Sequence, residues 1–123
     1  MTAQAITAPE GALELGGQTH ALRFDHEQIR QTELCWQIVS GSIMGYLGIL
    51  HQAQMGVYTA LYALAYGALA SAQRAQGVPS RSRMRLEQFD RIADYGALVG
   101  AGDALVRSAM DALPGAQGAS KNA

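Results

Sequence analysis

MGVYTALYALAYGALASA, residues Met55–Ala72, is the most apolar segment of the chain and decides its fold. It is the larger part of a run from Leu34 to Gln73 that contains no Asp, Glu, Lys or Arg. Its leucines and alanines recur at helical spacing, which predicts one long helix beginning near Gln54. Because charged residues return on both sides of the run, we interpret this helix as the core on which the other elements pack.

A membrane-spanning helix is the alternative interpretation of this segment. Its length is close to what a bilayer requires. However, three tyrosines and the residues Gly56, Thr59, Gly67 and Ser71 interrupt the apolar content, and no cluster of Lys or Arg precedes it. These features favour a buried helix and make a membrane partner unlikely, with a holin-like hairpin of Leu34–Leu50 and Met55–Ala72 as the competing hypothesis.

The overall composition fits one small globular domain. The chain has 123 residues, of which 9 are basic and 10 acidic, and 49% are hydrophobic. A formal net charge of −1 argues against nucleic acid as a partner, since binding through phosphates requires a basic surface. Cys35 is the single cysteine, so no intrachain disulfide can form. The first twelve residues lack the basic and apolar regions of a secretory signal, and we predict none.

The composition also suggests where the domain begins and ends. Residues 1–10 are small and polar and are predicted to form a flexible arm. Residues 11–113 form a single α+β domain, mostly helical, in which an N-terminal β-hairpin precedes four to five short-to-medium helices. Residues 114–123 begin with a Pro-Gly pair and are predicted to be a disordered tail.

The hairpin is predicted from GALELGGQTHALRF, residues Gly11–Phe24. Apolar residues alternate on both sides of Gly16-Gly17, as in strands joined by a two-residue turn. This register pairs Leu15 with Gln18 and Leu13 with His20. An isolated hairpin is marginal in water, so its apolar face must pack on the helices. That face comprises Leu13, Leu15, Leu22 and Phe24.

Two helices are predicted before the central one. Asp25 can cap the first helix, and Glu27 adds a favourable negative charge in its first turn. Gly41-Ser42 ends this helix, and Ser42 can cap a second, short one. The predicted inward residues are Ile29, Thr32, Cys35, Trp36 and Val39 in the first helix, and Ile43, Met44, Leu47 and Leu50 in the second.

The central helix is predicted to end near Arg74 and Gly77, which are typical of a helix C-terminus. Two further helices are predicted after it. The first runs from Leu86 to Tyr95, and the Gly-rich segment Gly96–Gly102 breaks it. The last starts near Asp103 and stops at Pro114-Gly115. Their predicted inward residues are Leu86, Phe89, Ile92 and Ala93, then Ala101, Leu105, Ala109 and Leu113.

The sequence contains no recognisable catalytic, metal or cofactor site. His20, His26 and His51 lack the spacing of metal ligands, and Cys35 lies on an apolar helical stripe. The glycines of residues 96–102 are not followed by the Lys-Ser/Thr pair of a phosphate-binding loop. We therefore predict that the protein is not an enzyme.

A row of tyrosines on the central helix is the best candidate for a partner-binding site. Tyr58, Tyr62 and Tyr66 are spaced by four residues and line up on one side of the helix. Helical aromatic rows usually pack internally, but three buried hydroxyl groups would need hydrogen-bond partners. With Met55 and Leu69, the tyrosines form the predicted partner-binding set.

The order of these motifs resembles the small tail assembly chaperones of long-tailed bacteriophages and gene transfer agents. The motifs are, in order, LELGGQTHALRFD, TELCW, SIMGYLGIL, YTALYALAYGAL, LEQFDRIADYG and ALVRSAMDALPG. The similarity covers about Gly11 to Leu113 and is one of topology. The chain departs from the family pattern at Arg85, where Ser or Thr is expected before the helix, and in the low charge between Trp36 and Tyr58.

The resemblance implies a non-catalytic role in the cytoplasm of the bacterial host. Such chaperones bind the apolar, helical tape measure protein and help to recruit the tail tube protein, and they are absent from the mature particle. Met44 and Met55 would suit an adaptable surface for that client. A second copy of the chain is a further predicted partner.

The alternative function is a structural tail component or head–tail adaptor that remains in the virion.

Overall fold

A computed structural model describes residues 10–113. Glu10, the last residue of the predicted arm, is the first residue of a strand, whereas the rest of the arm and the predicted tail lie outside the described residues. Strands β1 (Glu10–Leu15) and β2 (Gln18–Arg23) come first. Six α-helices and one 3₁₀ turn, Ser80–Ser82, follow within the described range. The helices are α1 (His26–Ser40), α2 (Tyr46–Gln54), α3 (Tyr58–Ala75), α4 (Leu86–Ile92), α5 (Tyr95–Gly100) and α6 (Gly102–Asp111). The predicted α+β, mostly helical fold is confirmed, with one helix more than expected.

The hairpin has the predicted register. Leu15 pairs with Gln18 and Leu13 with His20 in an antiparallel two-stranded sheet. Gly16 and Gly17 have φ values of 60° and 77°, which the two-residue turn requires and glycine adopts without strain. The four predicted inward residues are all buried, and β2 packs on α3.

Helix α1 is capped as predicted, but it is covered over only part of its length. The Gln28 N–H donates to Asp25 Oδ1 at 2.9 Å. Thr32, Cys35 and Trp36 are buried. The inward placement of Val39 was wrong, because every residue of α1 after Trp36 is exposed.

Helix α2 begins at Tyr46 rather than at Ser42, and its buried residues are Tyr46, Ile49, Leu50 and Ala53. The Tyr46 N–H donates to Glu33 Oε2 at 2.9 Å, so the start of α2 is fixed by a side chain of α1. Residues 43–45 have no regular secondary structure. The prediction that Ile43 and Leu47 pack inward was therefore wrong, whereas Leu50 is buried as expected.

Helix α3 is the centre of the molecule, as predicted, although it starts at Tyr58 rather than near Gln54. Gly56, with φ of 82°, ends α2, and the Val57 N–H donates to Gln52 O at 3.0 Å. The same arrangement ends α3, where Gly77 has φ of 80° and Val78 donates to Gln73. Both are Schellman caps, which satisfy the last carbonyls of a helix.

Helices α3 and α1 approach each other closely at Gly67. A Cβ at this position would overlap Thr32 Oγ1 and lie 2.9 Å from both Gln28 O and Thr32 N. Ala60 and Ala63, on the same small-residue strip, are also buried. The strip therefore allows the close backbone approach predicted from the sequence.

The segment after α3 differs from prediction at its glycines. The expected helix from Leu86 ends at Ile92 rather than Tyr95, and the Gly-rich segment is helical. Asp94 caps this helix, α5, by accepting a hydrogen bond from the Ala97 N–H at 2.8 Å. The prediction of a break at Gly96–Gly102 was wrong, because this side-chain cap and packing on α3 outweigh the low helix propensity of glycine.

Candidate functional site

An apolar surface lies where α1 turns into α2. Gly41, with φ of 78°, ends α1, and its N–H donates to Gln37 O at 2.9 Å. The chain then crosses residues 42–45 before α2 begins. Five large apolar side chains in this region are solvent-exposed, one of them Val39 at 46%. We call the other four the α1–α2 surface: Leu34 (46% exposed), Ile38 (68%), Ile43 (83%) and Leu47 (68%).

A shallow groove of about 280 Å³ runs through the α1–α2 surface. Leu34, Ile43 and Met44 supply its apolar lining. Arg30 and Glu33 stand at its edge, and both are engaged, since Arg30 donates to Glu27 and Glu33 accepts from the Tyr46 N–H. The groove therefore combines an apolar lining with the polar side chains of Arg30, Glu33 and Gln37.

The polar groups beneath the start of α2 are satisfied within the fold. The Gln28 side-chain amide donates to Thr32 Oγ1 at 3.0 Å and to the Tyr46 hydroxyl at 2.9 Å. Burial raises the pKa of Tyr46 to about 12, so the hydroxyl stays protonated at any physiological pH. This network fixes α2 against α1 and leaves the apolar residues of the turn on the outside.

The tyrosine row lies against α4 and the start of α5. The rings of Tyr62 and Tyr66 meet the edge of Phe89, with centroids 5.0 and 5.4 Å apart. The Tyr62 hydroxyl donates to Asp90 Oδ1 at 2.7 Å, and burial followed by the charge of that carboxylate raises the pKa of Tyr62 well above its usual value. The third ring, Tyr58, packs against Tyr95.

The five predicted partner-binding residues therefore have different environments. Tyr62 and Leu69 are buried, Tyr58 and Tyr66 are half-buried, and Met55 is exposed at the turn between α2 and α3. The structure does not bring them together as one exposed surface. Their role in binding a partner stays a prediction.

The α1–α2 surface was missed by the sequence analysis. Leu34 and Ile38 are four residues apart and lie off the buried stripe of Thr32, Cys35 and Trp36, so their spacing was a usable signal. Ile43 and Leu47 gave no such signal, because their spacing predicted them to face inward.

Two chemical groups named in the sequence analysis can now be placed. Cys35 is buried, and burial raises the pKa of its thiol to about 12, which keeps it in the unreactive protonated form. His20 is half-buried, and its Nε2 lies 3.2 Å from Leu15 O, whereas His26 and His51 are exposed. Within residues 10–113, no cluster of three or more His, Cys, Asp or Glu could hold a metal ion.

Among the helices of the described range, none combines the length and the apolar content needed to cross a membrane. No protein-family model, curated protein or solved structure matches the chain. The fold is that of a small α+β protein with a hairpin packed on a central helix. The α1–α2 surface is its candidate functional site.

Proposed function

We propose that the chain is a non-catalytic tail assembly chaperone that binds a tape measure protein through its α1–α2 surface. The ordered motifs of the sequence support this assignment, and so does the hairpin-first, mostly helical fold. The proposed place of action is the cytoplasm of the bacterial host. The tail tube protein and a second copy of the chain are further proposed partners.

The observation that carries the proposal is the exposure of Leu34, Ile38, Ile43 and Leu47 in one short part of the chain. Covering a fully exposed Leu or Ile side chain stabilises a complex by roughly 1.5–3 kcal/mol, so leaving four on the surface needs a reason. Contiguous exposed apolar patches mark interaction sites in soluble proteins. A long apolar helical client offers the matching surface.

The surface can also adapt to different segments of such a client. Met44 is half-buried beside the groove, and its side chain lies over Gly48, where a Cβ would come within 3.0 Å of Met44 Cγ. A methionine side chain has three rotatable bonds and refills irregular gaps at low cost. This property suits a chaperone that meets many non-identical helical segments.

The test is co-expression of the chain with a tape measure protein encoded beside it. We expect the client to be soluble with the natural chain and to precipitate with the variant Ile38→Ser/Ile43→Ser. The matched control is Ala12→Ser/Ala21→Ser, which changes two exposed, paired residues of the hairpin. If the client is equally soluble without the chain, the proposed function fails.

Mass spectrometry of purified particles distinguishes the chaperone proposal from the alternative of a structural virion component. The chaperone proposal expects the protein to be absent from them. Intact protein present in amounts stoichiometric with the tail would overturn it and favour a structural role.

A further inference from the structure

A second exposed surface lies at the start of α5 and combines aromatic, apolar and acidic groups. Tyr95 is 66% exposed, and Val99 stands one helical turn further along α5. Tyr58 of α3 lies beside Tyr95, with ring centroids 5.0 Å apart and planes inclined at 38°. We call these three residues, with Asp90 and Asp94, the Tyr95 surface.

The two carboxylates stand at the edge of this aromatic pair. Asp94 directly precedes Tyr95. Asp90 accepts a hydrogen bond from the Tyr62 hydroxyl, and the ring centroids of Tyr62 and Tyr58 are 6.1 Å apart. After burial, the charges of Asp90 and Asp94 are the main causes that raise the pKa of Tyr58. Neither forms an ion pair with any residue of the described range.

We propose that the Tyr95 surface docks an arginine of a partner protein, with an apolar side chain next to that arginine resting on Val99. A guanidinium group stacks on tyrosine rings and pairs with carboxylates in a planar, two-pronged geometry. The surface supplies both kinds of group side by side. This inference is separate from the chaperone proposal, because its probes are short peptides rather than the client.

Other partner chemistries fit this surface less well. An acidic segment would be repelled by Asp90 and Asp94. A purely apolar segment would remove these carboxylates from water without pairing them, which costs free energy. A cationic side chain both pairs with the carboxylates and covers the rings.

The first experiment titrates acetyl-Leu-Arg-Leu-amide into the full chain and follows the ring resonances of Tyr58 and Tyr95 by NMR. The control peptide replaces arginine by citrulline, a neutral group of nearly the same shape. We expect saturable shifts of both rings and about tenfold weaker binding of the citrulline peptide, from lost cation–π and ion-pair attraction. Equal binding of the two peptides would overturn the proposal in favour of an apolar partner.

The second experiment removes the charges without removing the structural hydrogen bonds. In the variant Asp90→Asn/Asp94→Ser, the amide still accepts from Tyr62, and serine still caps α5. We expect the arginine peptide to bind about tenfold more weakly to this variant, and with natural affinity to the control Glu14→Gln on the outer face of the hairpin. Unchanged binding to the double variant would overturn the proposal.

A second copy of the chain is the remaining occupant to test, because residues 81–85 carry three arginines. Spectra without peptide are recorded over a range of protein concentrations. We expect the Tyr95 resonances not to move. Concentration-dependent shifts that disappear in the double variant would overturn the assignment to another protein.

Discussion

Two parts of the charge-free run, Leu34–Leu50 and Tyr58–Ala72, have similar chemistry and opposite positions in the fold. In Tyr58–Ala72 the leucines are all buried, because α3 is contacted by α1, α2, α5, α6 and β2. In Leu34–Leu50, five large apolar side chains remain exposed. The comparison teaches that the absence of charge does not by itself decide burial, because burial depends on which elements pack against the segment.

The largest expected effect comes from truncating one leucine in each part. Leu64 is fully buried, so Leu64→Ala should lower the free energy of unfolding by about 3 kcal/mol, from lost burial and the cavity left behind. Leu47→Ala, the matched exposed substitution, should change it by less than about 0.5 kcal/mol. Urea denaturation of both variants measures the difference. Equal losses would contradict the contrast between core and surface.

The next effect concerns the glycines of the two parts. Gly67→Ala would force a Cβ into Thr32 and the α1 backbone, and we expect a loss of about 2 kcal/mol from overpacking. Gly48→Ala meets only the flexible end of Met44, so the higher helix propensity of alanine should make it neutral or stabilising by up to about 1 kcal/mol. Thermal unfolding compares them. A tolerated Gly67→Ala would show that α1 and α3 can separate at no cost.

A smaller effect is expected at the anchored end of α1. Asp25 Oδ1 accepts from the Ser71 hydroxyl at 2.6 Å and from the Gln28 N–H at 2.9 Å, which joins the start of α1 to α3. Asp25→Ala should lower the free energy of unfolding by about 1.5 kcal/mol. Asp25→Asn, which retains capping, should cost less. Denaturation at neutral pH ranks the two, and a larger loss in Asp25→Asn would contradict the capping role.

The same carboxyl predicts a pH dependence. Burial tends to raise the pKa of Asp25, but hydrogen bonds from Ser71, Gln28 and Arg23 outweigh it and lower the pKa below its ordinary value of 3.8. This stabilisation is therefore complete above that pH and is lost as pH falls through the folded-state pKa. Stability measured from pH 6 to 2 should fall less steeply in Asp25→Asn. Some acid dependence should remain, because the pKa of Glu27 is lowered too.

The smallest effect is expected in the tyrosine row. Tyr62→Phe removes the 2.7 Å hydrogen bond to Asp90 and should lower the free energy of unfolding by about 1 kcal/mol. Tyr66→Phe loses only a 3.4 Å contact with Met84 O and should cost less. Urea denaturation distinguishes them. No loss in either variant would mean that the hydroxyl groups do not hold α4 on α3.

The sequence alone determined the hairpin, its register and the central helix. Strict alternation around Gly16-Gly17 and the helical recurrence of leucine in Met55–Ala72 are local patterns, which fix local conformation without reference to the rest of the chain. The αL glycines at the ends of α2 and α3 act in the same way, through hydrogen bonds within a few residues.

Only the tertiary structure decided which apolar residues face solvent. At the start of α2, the Tyr46 N–H donates to Glu33, thirteen residues away in the chain, and the nearby Ile43 and Leu47 are exposed. Likewise, Phe89 of a helix distant in sequence packs against Tyr62 and Tyr66. Tyr58 packs instead against Tyr95, which is exposed. Burial is a property of what packs against a side chain, and those contacts join residues far apart in sequence.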